Sequence, residues 1–88
     1  MTPRQQHILT MLADPRGEGR IYVERHAGGG VWLTLWPSGL QERMLPSTFD
    51  ALVREHWLAE VRHWAESGVT YWRISAVGRA ALLLETGG

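Results

Sequence analysis

A cluster of arginine and aromatic residues in the second half of the chain has the composition of a nucleic-acid-binding surface. Its members are Arg62, Trp64, Tyr71 and Arg73. Arginine binds phosphate through a planar guanidinium fork, and aromatic rings pack on sugars or bases. If residues 59–64 and 69–74 pair as strands across the loop 65–68, all four lie on one side of a hairpin. The alternative is that the aromatic rings pack internally and that Arg73 pairs with Glu60.

A predicted helix over residues 47–57 carries a second set of candidate contacts. Ser47, Thr48 and Arg54 are expected to be exposed there, with groups that hydrogen-bond to phosphates or base edges. Asp50 and Glu55 make this helix net acidic, which opposes binding to a phosphate backbone. The alternative is a plain surface helix in which Asp50 pairs with Arg54 one turn away.

A third candidate surface is apolar and suits a protein partner. The strand predicted over residues 31–36 is apolar on both faces, because Trp32 and Trp36 alternate with valine and leucine. Aromatic residues are enriched at the centres of protein interfaces. Leu82 and Leu83 widen the apolar stripe of a predicted C-terminal helix. These four residues are predicted to form a partner interface, and packing in the core is the alternative.

The sequence contains no pattern typical of an enzyme, a metal site or a cofactor site. Cysteine is absent, and the four histidines lack the close spacing of zinc ligands; they are His7, His26, His56 and His63. No nucleophile motif or phosphate loop occurs, and the glycines at 28–30 have no helix after them. We therefore expect no catalytic residues, no metal and no cofactor.

The charged residues are unusual in type and balanced in number. The 88 residues include nine basic ones, all arginine, and nine acidic ones, with no lysine or asparagine. A GC-rich bacterial or phage genome explains this bias, since lysine and asparagine have AT-rich codons; selection for phosphate contacts is the alternative. Zero net charge excludes strong attraction of the whole protein to nucleic acid or to anionic membranes, but permits a local basic patch. Arg4, Arg43 and Arg79 are expected to be solvated charges.

One small α+β domain over residues 1–88 is expected to position these side chains. Thr2, Pro3 and Gln5 form a capping-box pattern that predicts a helix over 2–14. A loop is expected at 16–19, followed by a three-stranded meander within 20–45. Ser47 and Asp50 predict the cap of the second helix. No signal peptide or membrane segment is evident, so we expect a cytoplasmic protein without a membrane partner.

The predicted hairpin over 59–74 and the helix after it complete the domain. In the hairpin, Glu60 is expected to face Arg73, Arg62 to face Tyr71, and Trp64 to face Val69. The same pairing sends Val61, Trp72 and Ile74 to the core side. Ser75 is expected to cap a helix over 76–85, whose inward stripe comprises Val77, Ala80, Ala81 and Leu84.

The second half of the chain resembles bacterial winged helix-turn-helix domains of the MarR and PadR type. The resemblance rests on two segments, Ser47-Thr48-Phe49-Asp50-Ala51-Leu52-Val53-Arg54-Glu55-His56-Trp57-Leu58 and Trp72-Arg73-Ile74-Ser75-Ala76-Val77-Gly78-Arg79-Ala80-Ala81-Leu82. It implies that the helix from Ser47 to Glu55 is a recognition helix and that the loop 65–68 is the tip of a wing. Two features depart from that family. A strand meander replaces the helix before the recognition helix, and His56 replaces a glycine whose position often needs a left-handed backbone.

The combined prediction is a winged-helix-like α+β fold and a small DNA-binding regulator of bacterial or phage type. It is expected to act as a homodimer on double-stranded DNA, with the wing face holding more of the phosphate backbone than the helix. The alternative is a protein–protein interaction module, such as an adaptor or inhibitor, that binds no nucleic acid.

Overall fold

Three α-helices and five β-strands make up the part of the chain that the structure, a computed structural model, describes. That part comprises residues 1–15, 18–24, 29–36, 39 and 41–85, with the backbone alone at positions 18, 35 and 36. The elements in chain order are α1 (Pro3–Ala13), β1 (Glu18–Glu24), β2 (Val31–Trp36), β3 (Gln41–Met44), α2 (Pro46–Arg54), β4 (Leu58–Glu60), a 3-10 turn (Arg62–Trp64), β5 (Val69–Ile74) and α3 (Ala76–Glu85). The expected α+β class is confirmed.

The five strands form one antiparallel sheet in the order β3-β2-β1-β5-β4. The predicted meander and the predicted hairpin are therefore joined side by side, through the pairing of β1 with β5. In that register Tyr22 of β1 lies opposite Trp32 of β2 and opposite Tyr71 of β5, while Arg43 of β3 lies opposite Trp32. Cross-strand partners share a face of the sheet, so these four residues form one row across four strands.

The helices pack on the other face, where every strand contributes apolar side chains to the core. Ile8, Leu9 and Leu12 of α1 and Phe49 and Leu52 of α2 meet strand residues that include Ile21, Leu33, Met44, Leu58 and Ile74. Among the described residues, no polar or charged residue is buried. Burial of apolar surface between the helix layer and one side of the sheet is therefore what stabilises the fold.

The helix starts show one confirmed prediction and one error. Thr2 caps α1, and the reciprocal hydrogen bonds between Thr2 and Gln5 form the predicted capping box. The second helix instead begins at Pro46, with Leu45 at the cap position and no capping side chain. Proline needs no hydrogen bond for its nitrogen and fixes a helical φ, so the helix starts one residue before the predicted cap at Ser47.

The inward face of α3 differs from the predicted stripe. Val77 and Leu84 are 54% and 85% exposed, and Ala80 is exposed as well. Gly78 is buried instead, and a Cβ built on it would lie 2.4 Å from the carbonyl oxygen of Trp57. Relative to the prediction, α3 is thus rotated about its axis by about one residue. The reason is that α3 makes its closest contact with the rest of the fold at Gly78, which has no side chain. A prediction of the core-facing positions of a helix from hydropathy alone does not include a glycine through which the helix contacts its neighbour.

The first strand begins earlier than predicted. Residues 18 and 19 belong to β1 and not to the expected loop at 16–19. A Cβ on Gly19 would lie 2.8 Å from the Cα of Leu12, so glycine allows α1 to cross the strand closely. Strands β2 and β3 occupy the region where the resemblance would place a helix. Residues 25–28, 37–38 and 40, which include parts of the turns predicted at 27–30 and 37–39 and three positions predicted as strand, lie outside the described part of the chain.

The predicted pairing in the second hairpin is wrong by one residue. Ala59 faces Arg73, and Glu60 faces Trp72, on the core side of the sheet. Residues 62–64 form a 3-10 turn and not a strand, and the chain returns through a tight turn in which Glu66 bridges to Val69. Gly68 adopts φ +74° in that turn. The expected core positions Val61 and Ile74 are buried, and Trp72 packs against the core.

His56 adopts the left-handed conformation that the resemblance to winged-helix domains implied for its position. Its φ is +62°, and among the described residues it is the non-glycine residue with a positive φ. The backbone N–H of the next residue, Trp57, donates to the Leu52 carbonyl at 3.1 Å, which closes the end of α2. The carbonyl of His56 accepts a hydrogen bond from Ser75 Oγ at 2.6 Å, and Ser75 Oγ accepts one from the Gly78 N–H at 2.9 Å. Ser75 therefore caps α3, as predicted.

Candidate nucleic-acid interface

The face of the sheet opposite the helices, here called the open face, carries aromatic and arginine side chains. No α-helix of the described chain has its core residues on that side. Alternation along the strands places on it Arg20, Tyr22, Glu24, Trp32, Thr34, Gln41, Arg43, Val69, Tyr71 and Arg73. All of these are half-buried or exposed, whereas their sequence neighbours Ile21, Leu33 and Ile74 are buried.

Three rings stand side by side across the middle of the open face, and we call Trp32, Tyr22 and Tyr71 the aromatic row. The ring centroids of Tyr22 and Tyr71 are 5.7 Å apart, with the ring planes inclined at 43°. Trp32 donates from Nε1 to a Glu24 carboxylate oxygen at 3.0 Å, which fixes the indole. The Arg43 guanidinium carbon lies 5.5 Å from the centroid of the Trp32 ring. The row is therefore an ordered strip in which the two tyrosine rings contact each other and the Trp32 ring contacts an arginine.

The 3-10 turn brings Trp64 against one end of this face. The Arg20 guanidinium carbon lies 4.0 Å from the centroid of the Trp64 ring, a close cation–π contact. The Trp64 ring meets Tyr71 edge-on, with centroids 6.3 Å apart and planes at 88°. Trp64 and Tyr71 thus come together as the sequence indicated, but through a turn that folds over the sheet and not through strand pairing.

The arginines of this region are mostly exposed. Arg43, Arg62 and Arg73 are exposed, and within the described part of the chain none of them forms an ion pair. The alternative pairing of Glu60 with Arg73 is absent there. The described side chains of the open face comprise Arg20, Arg43 and Arg73 against Glu24 and Glu66, the last of which bridges to Val69, and they have a net charge of +1. The nine-to-nine balance of the whole chain therefore conceals a locally basic surface.

The phenol of Tyr22 stays neutral at physiological pH. Burial raises its pKa above the ordinary value, and the negative charge of Glu24 raises it further. A neutral phenol keeps its proton as a hydrogen-bond donor and adds no negative charge to the basic face.

The predicted recognition-helix contacts lie in the helix layer and not on the open face. Ser47 and Arg54 are exposed on α2, and Thr48 is half-buried. The Phe49 ring of α2 packs edge-on against Trp72, with centroids 5.3 Å apart, and Trp72 is on the core side of β5. The structure therefore does not bring Ser47, Thr48 and Arg54 together with Trp64, Tyr71 and Arg73. Asp50 and Arg54 are both exposed and are not ion-paired with each other.

The four residues predicted for a partner interface are separated in the same way. Trp32 belongs to the aromatic row, while the side chain of Trp36 lies outside the described part of the structure. Leu82 is half-buried against the core, and Leu83 is 61% exposed on α3. Together with Val77 and Leu84, Leu83 leaves an apolar outer surface on α3.

A groove of about 350 Å³ opens at the end of the sheet where β1 begins and β5 ends. Its lining includes Trp64, Arg73 and Arg79, together with Asp14 and Gly19. Arg79 of α3 thus approaches the arginine and aromatic residues of the open face from the helix layer, which extends the basic surface around the edge of the sheet.

Two residues of the open face, Arg20 and Tyr22, were not singled out by sequence reasoning, and Arg43 was interpreted as a solvated charge. A signal was present, because Arg20, Tyr22 and Glu24 alternate with Ile21 and Val23. That alternation is typical of a strand with one buried and one open face. The alternation alone does not show that these residues belong to the candidate site, because that depends on the pairing of β1 with β5, which places Tyr22 beside Tyr71.

The described residues contain no cluster of three histidine, aspartate or glutamate side chains arranged to hold a metal ion. His7 Nε2 lies 3.4 Å from a Glu42 carboxylate oxygen, and His63 packs edge-on against Trp64. His26 lies outside the described residues. No helix in the part of the chain that was searched is long and apolar enough to cross a membrane.

Comparison with protein-family models, with curated proteins and with solved structures finds no match to this chain. Function must therefore be argued from the geometry and the chemistry of its own side chains.

Proposed function

We propose that this protein is a small DNA-binding regulator of bacterial or phage type that holds nucleic acid mainly through the open face. The observation that carries the proposal is the convergence of Trp64, Tyr71 and Arg73 with Arg20 and Tyr22 on one exposed side of the sheet. Guanidinium groups contact phosphates, and aromatic rings pack on sugars or bases. Such a surface provides both kinds of contact.

The distribution of charge supports this surface over the recognition helix. The described side chains of the open face have an excess of arginine, whereas α2 and its C-terminal residue carry Asp50 and Glu55 against Arg54 alone. A phosphate backbone gains from each cation that it approaches and is repelled by each carboxylate. The winged-helix relationship, suggested by the sequence and compatible with an α2-β4-β5-α3 order, remains part of this proposal.

The test is the dependence of DNA affinity on salt. Labelled random-sequence DNA, offered both as duplex and as single strand, is titrated by fluorescence anisotropy between about 50 and 200 mM salt. We expect an affinity that falls steeply as salt rises, and a loss of at least about tenfold for the double variant Arg43→Ala and Arg73→Ala.

The matched control removes two arginines from the helix layer, through Arg4→Ala and Arg54→Ala. This control changes net charge by the same amount but leaves the open face intact. Equal losses for the two double variants, or no binding of either DNA form at about 50 mM salt, would contradict the proposal.

A second candidate function, a protein–protein interaction module or a homodimer, is favoured by a different observation. Val77, Leu83 and Leu84 expose apolar side chains on the outer surface of α3. Apolar residues clustered on an exposed surface favour contact with a protein partner. Light scattering tests this: Leu83→Ser with Leu84→Ser should convert a dimer into a monomer, and an unchanged mass would count against a role for α3.

A further inference from the structure

We infer that the open face binds an unpaired nucleic-acid strand, laid across the β-strands with its bases on the aromatic row. The inference rests on the proposed function, because it names the form of nucleic acid for the same surface. Three observations carry it: the position of the rings, the arginines on one side of them, and the width of the sheet.

The aromatic row runs across the strands and not along one of them. Trp32, Tyr22 and Tyr71 occupy directly paired positions on β2, β1 and β5. Neighbouring strands are about 4.8 Å apart, so the backbones that carry the first and last ring are separated by roughly 10 Å. That length suits about two or three consecutive bases, the number that aromatic residues on a sheet typically stack.

The polar side chains beside the row are distributed unequally between its two sides. On one side of the aromatic row, Arg20 of β1 is paired with Thr34 of β2, and Thr34 is paired with Gln41 of β3. The register of β1 with β5, continued by one residue from the pair of Ile21 with Trp72, sets Arg73 next to Arg20. We call these four residues the polar row. Glu24 and Val69 are paired on the opposite side. Phosphates are therefore attracted to the side with the exposed Arg73 and repelled from the side with the Glu24 carboxylate.

The arginines of this surface are held in place before any ligand binds. Arg20 is stacked on Trp64, and Arg43 lies over Trp32 at the end of the aromatic row. The Arg43 guanidinium is exposed beside the Trp32 ring, where a phosphate oxygen can approach it. Preorganisation of this kind lowers the entropy lost on binding.

The shape of the sheet disfavours duplex DNA as the ligand. Five strands span about 19 Å from the first backbone to the last, whereas the major groove is about 12 Å wide and admits a helix or a two-stranded ribbon. Bases in a duplex are also stacked on one another and cannot offer their faces to Trp32 or Tyr71. An unpaired strand meets neither obstacle.

The experiment compares an oligonucleotide of about twelve deoxythymidines with a mixed-sequence duplex of the same length, by fluorescence anisotropy at low salt. We expect the single strand to bind at least about tenfold more tightly than the duplex. Trp32→Ala and Tyr71→Ala should each weaken single-strand binding by about tenfold, and Trp32→Phe, which keeps a ring, should stay close to the unmodified protein.

The arginines are tested through the salt dependence of the same binding. Arg73→Ala should reduce the slope of log affinity against log salt by about 0.7, the value for one phosphate contact on a single strand. Arg4→Ala, which removes an arginine of α1 that pairs with Glu42 on the helix side of the sheet, should leave both slope and affinity unchanged. If Tyr71→Ala does not fold, Thr34→Glu places a carboxylate in the polar row without removing a ring, and it should abolish binding.

Three other outcomes would overturn the inference. Duplex binding that equals or exceeds single-strand binding, with no effect of Trp32→Ala, overturns the inference while the proposed function stands. No binding of either form at about 50 mM salt overturns both. A dimer that becomes monomeric with Trp32→Ala, combined with no nucleic-acid binding, assigns the open face to a second copy of the chain.

Discussion

The two faces of the sheet are built from the same strands but have opposite properties. On the helix side, Ile21 and Leu33 are almost completely buried, at 0% and 1% exposure. On the open face their immediate neighbours Tyr22 and Trp32 are only half-buried, and contact Tyr71 and Arg43. One face therefore stabilises the fold by excluding water, and the other presents ordered aromatic and cationic groups at the surface.

The largest expected difference is between neighbours on β1 that point to opposite faces. Ile21→Ala should lower the free energy of unfolding by about 2–5 kcal/mol, because it leaves a cavity in the core. Tyr22→Ala should cost less than Ile21→Ala, because a half-buried ring loses an aromatic pair worth about 0.5–1.5 kcal/mol and only part of its buried area. Chemical denaturation of the two variants checks this. Similar losses would mean that the open face is a second core and not a binding surface.

A smaller loss is expected where α3 meets the start of β4. Gly78→Ala should lower the free energy of unfolding by about 1–3 kcal/mol, because the new methyl group would press on the Trp57 carbonyl. The contact lies on the helix side of the sheet and not among the side chains of the open face, so the nucleic-acid affinity of the folded fraction should fall by less than it does for Tyr71→Ala. The matched control is Ala80→Gly on the exposed side of α3, which should cost about 1 kcal/mol through helix propensity alone. A Gly78→Ala variant as stable as the parent would show that α3 does not approach Trp57 so closely.

A gain in stability is expected at the end of α2. His56→Gly should raise the free energy of unfolding by about 0.5–1 kcal/mol, since glycine adopts φ +62° without the steric cost of a side chain. Thermal melting of the variant measures the change. A lower melting temperature would show that the imidazole makes a stabilising contact that exceeds the backbone strain.

The smallest expected effect concerns Glu42, which contacts α1 from β3. The hydrogen bond from Arg4 and the nearby His7 lower the pKa of this carboxyl below its usual 4.5. A lowered pKa in the folded state means stability that is present above pH 4.5 and is lost as pH falls through the folded-state value. Arg4 and Glu42 are both partly exposed, so Glu42→Gln should cost less than about 1 kcal/mol at neutral pH.

The acid limb of the stability curve measures this effect. The difference between Glu42→Gln and the unmodified protein should disappear as pH falls below the pKa of Glu42 in the folded state. A difference that stays constant over the acid range would show that packing and not charge determines it.

Sequence reasoning succeeded where local patterns determine the structure. The capping box of α1, the bounds of β2 and β5, and the cap of α3 at Ser75 depend on residues near one another in the chain. It failed where long-range packing decides, as at Gly78, whose missing side chain sets the rotation of α3. The one-residue error in the pairing of β4 with β5 has the same origin, because the turn at 62–64 forms around the buried Val61.

The candidate site was only partly predictable for the same reason. Trp64, Tyr71 and Arg73 lie within ten residues of one another in the chain, and their alternation drew attention to them. Arg20 and Tyr22 join them only because β1 pairs with β5 across about fifty residues. Sequence periodicity indicates that a strand has two faces, but it does not indicate which strand will lie beside it.

The most direct test of the central claim, that the open face is the nucleic-acid-binding surface, is a nuclear magnetic resonance titration of the labelled protein with a single-stranded oligonucleotide. The account predicts that the amide signals of β1, β2 and β5 and the indole signal of Trp32 will shift with bound ligand. The signals of α2 from Ser47 to Arg54 should stay in place. Shifts confined to α2, with the strand signals and the Trp32 indole unchanged, would contradict the account and assign binding to the helix layer.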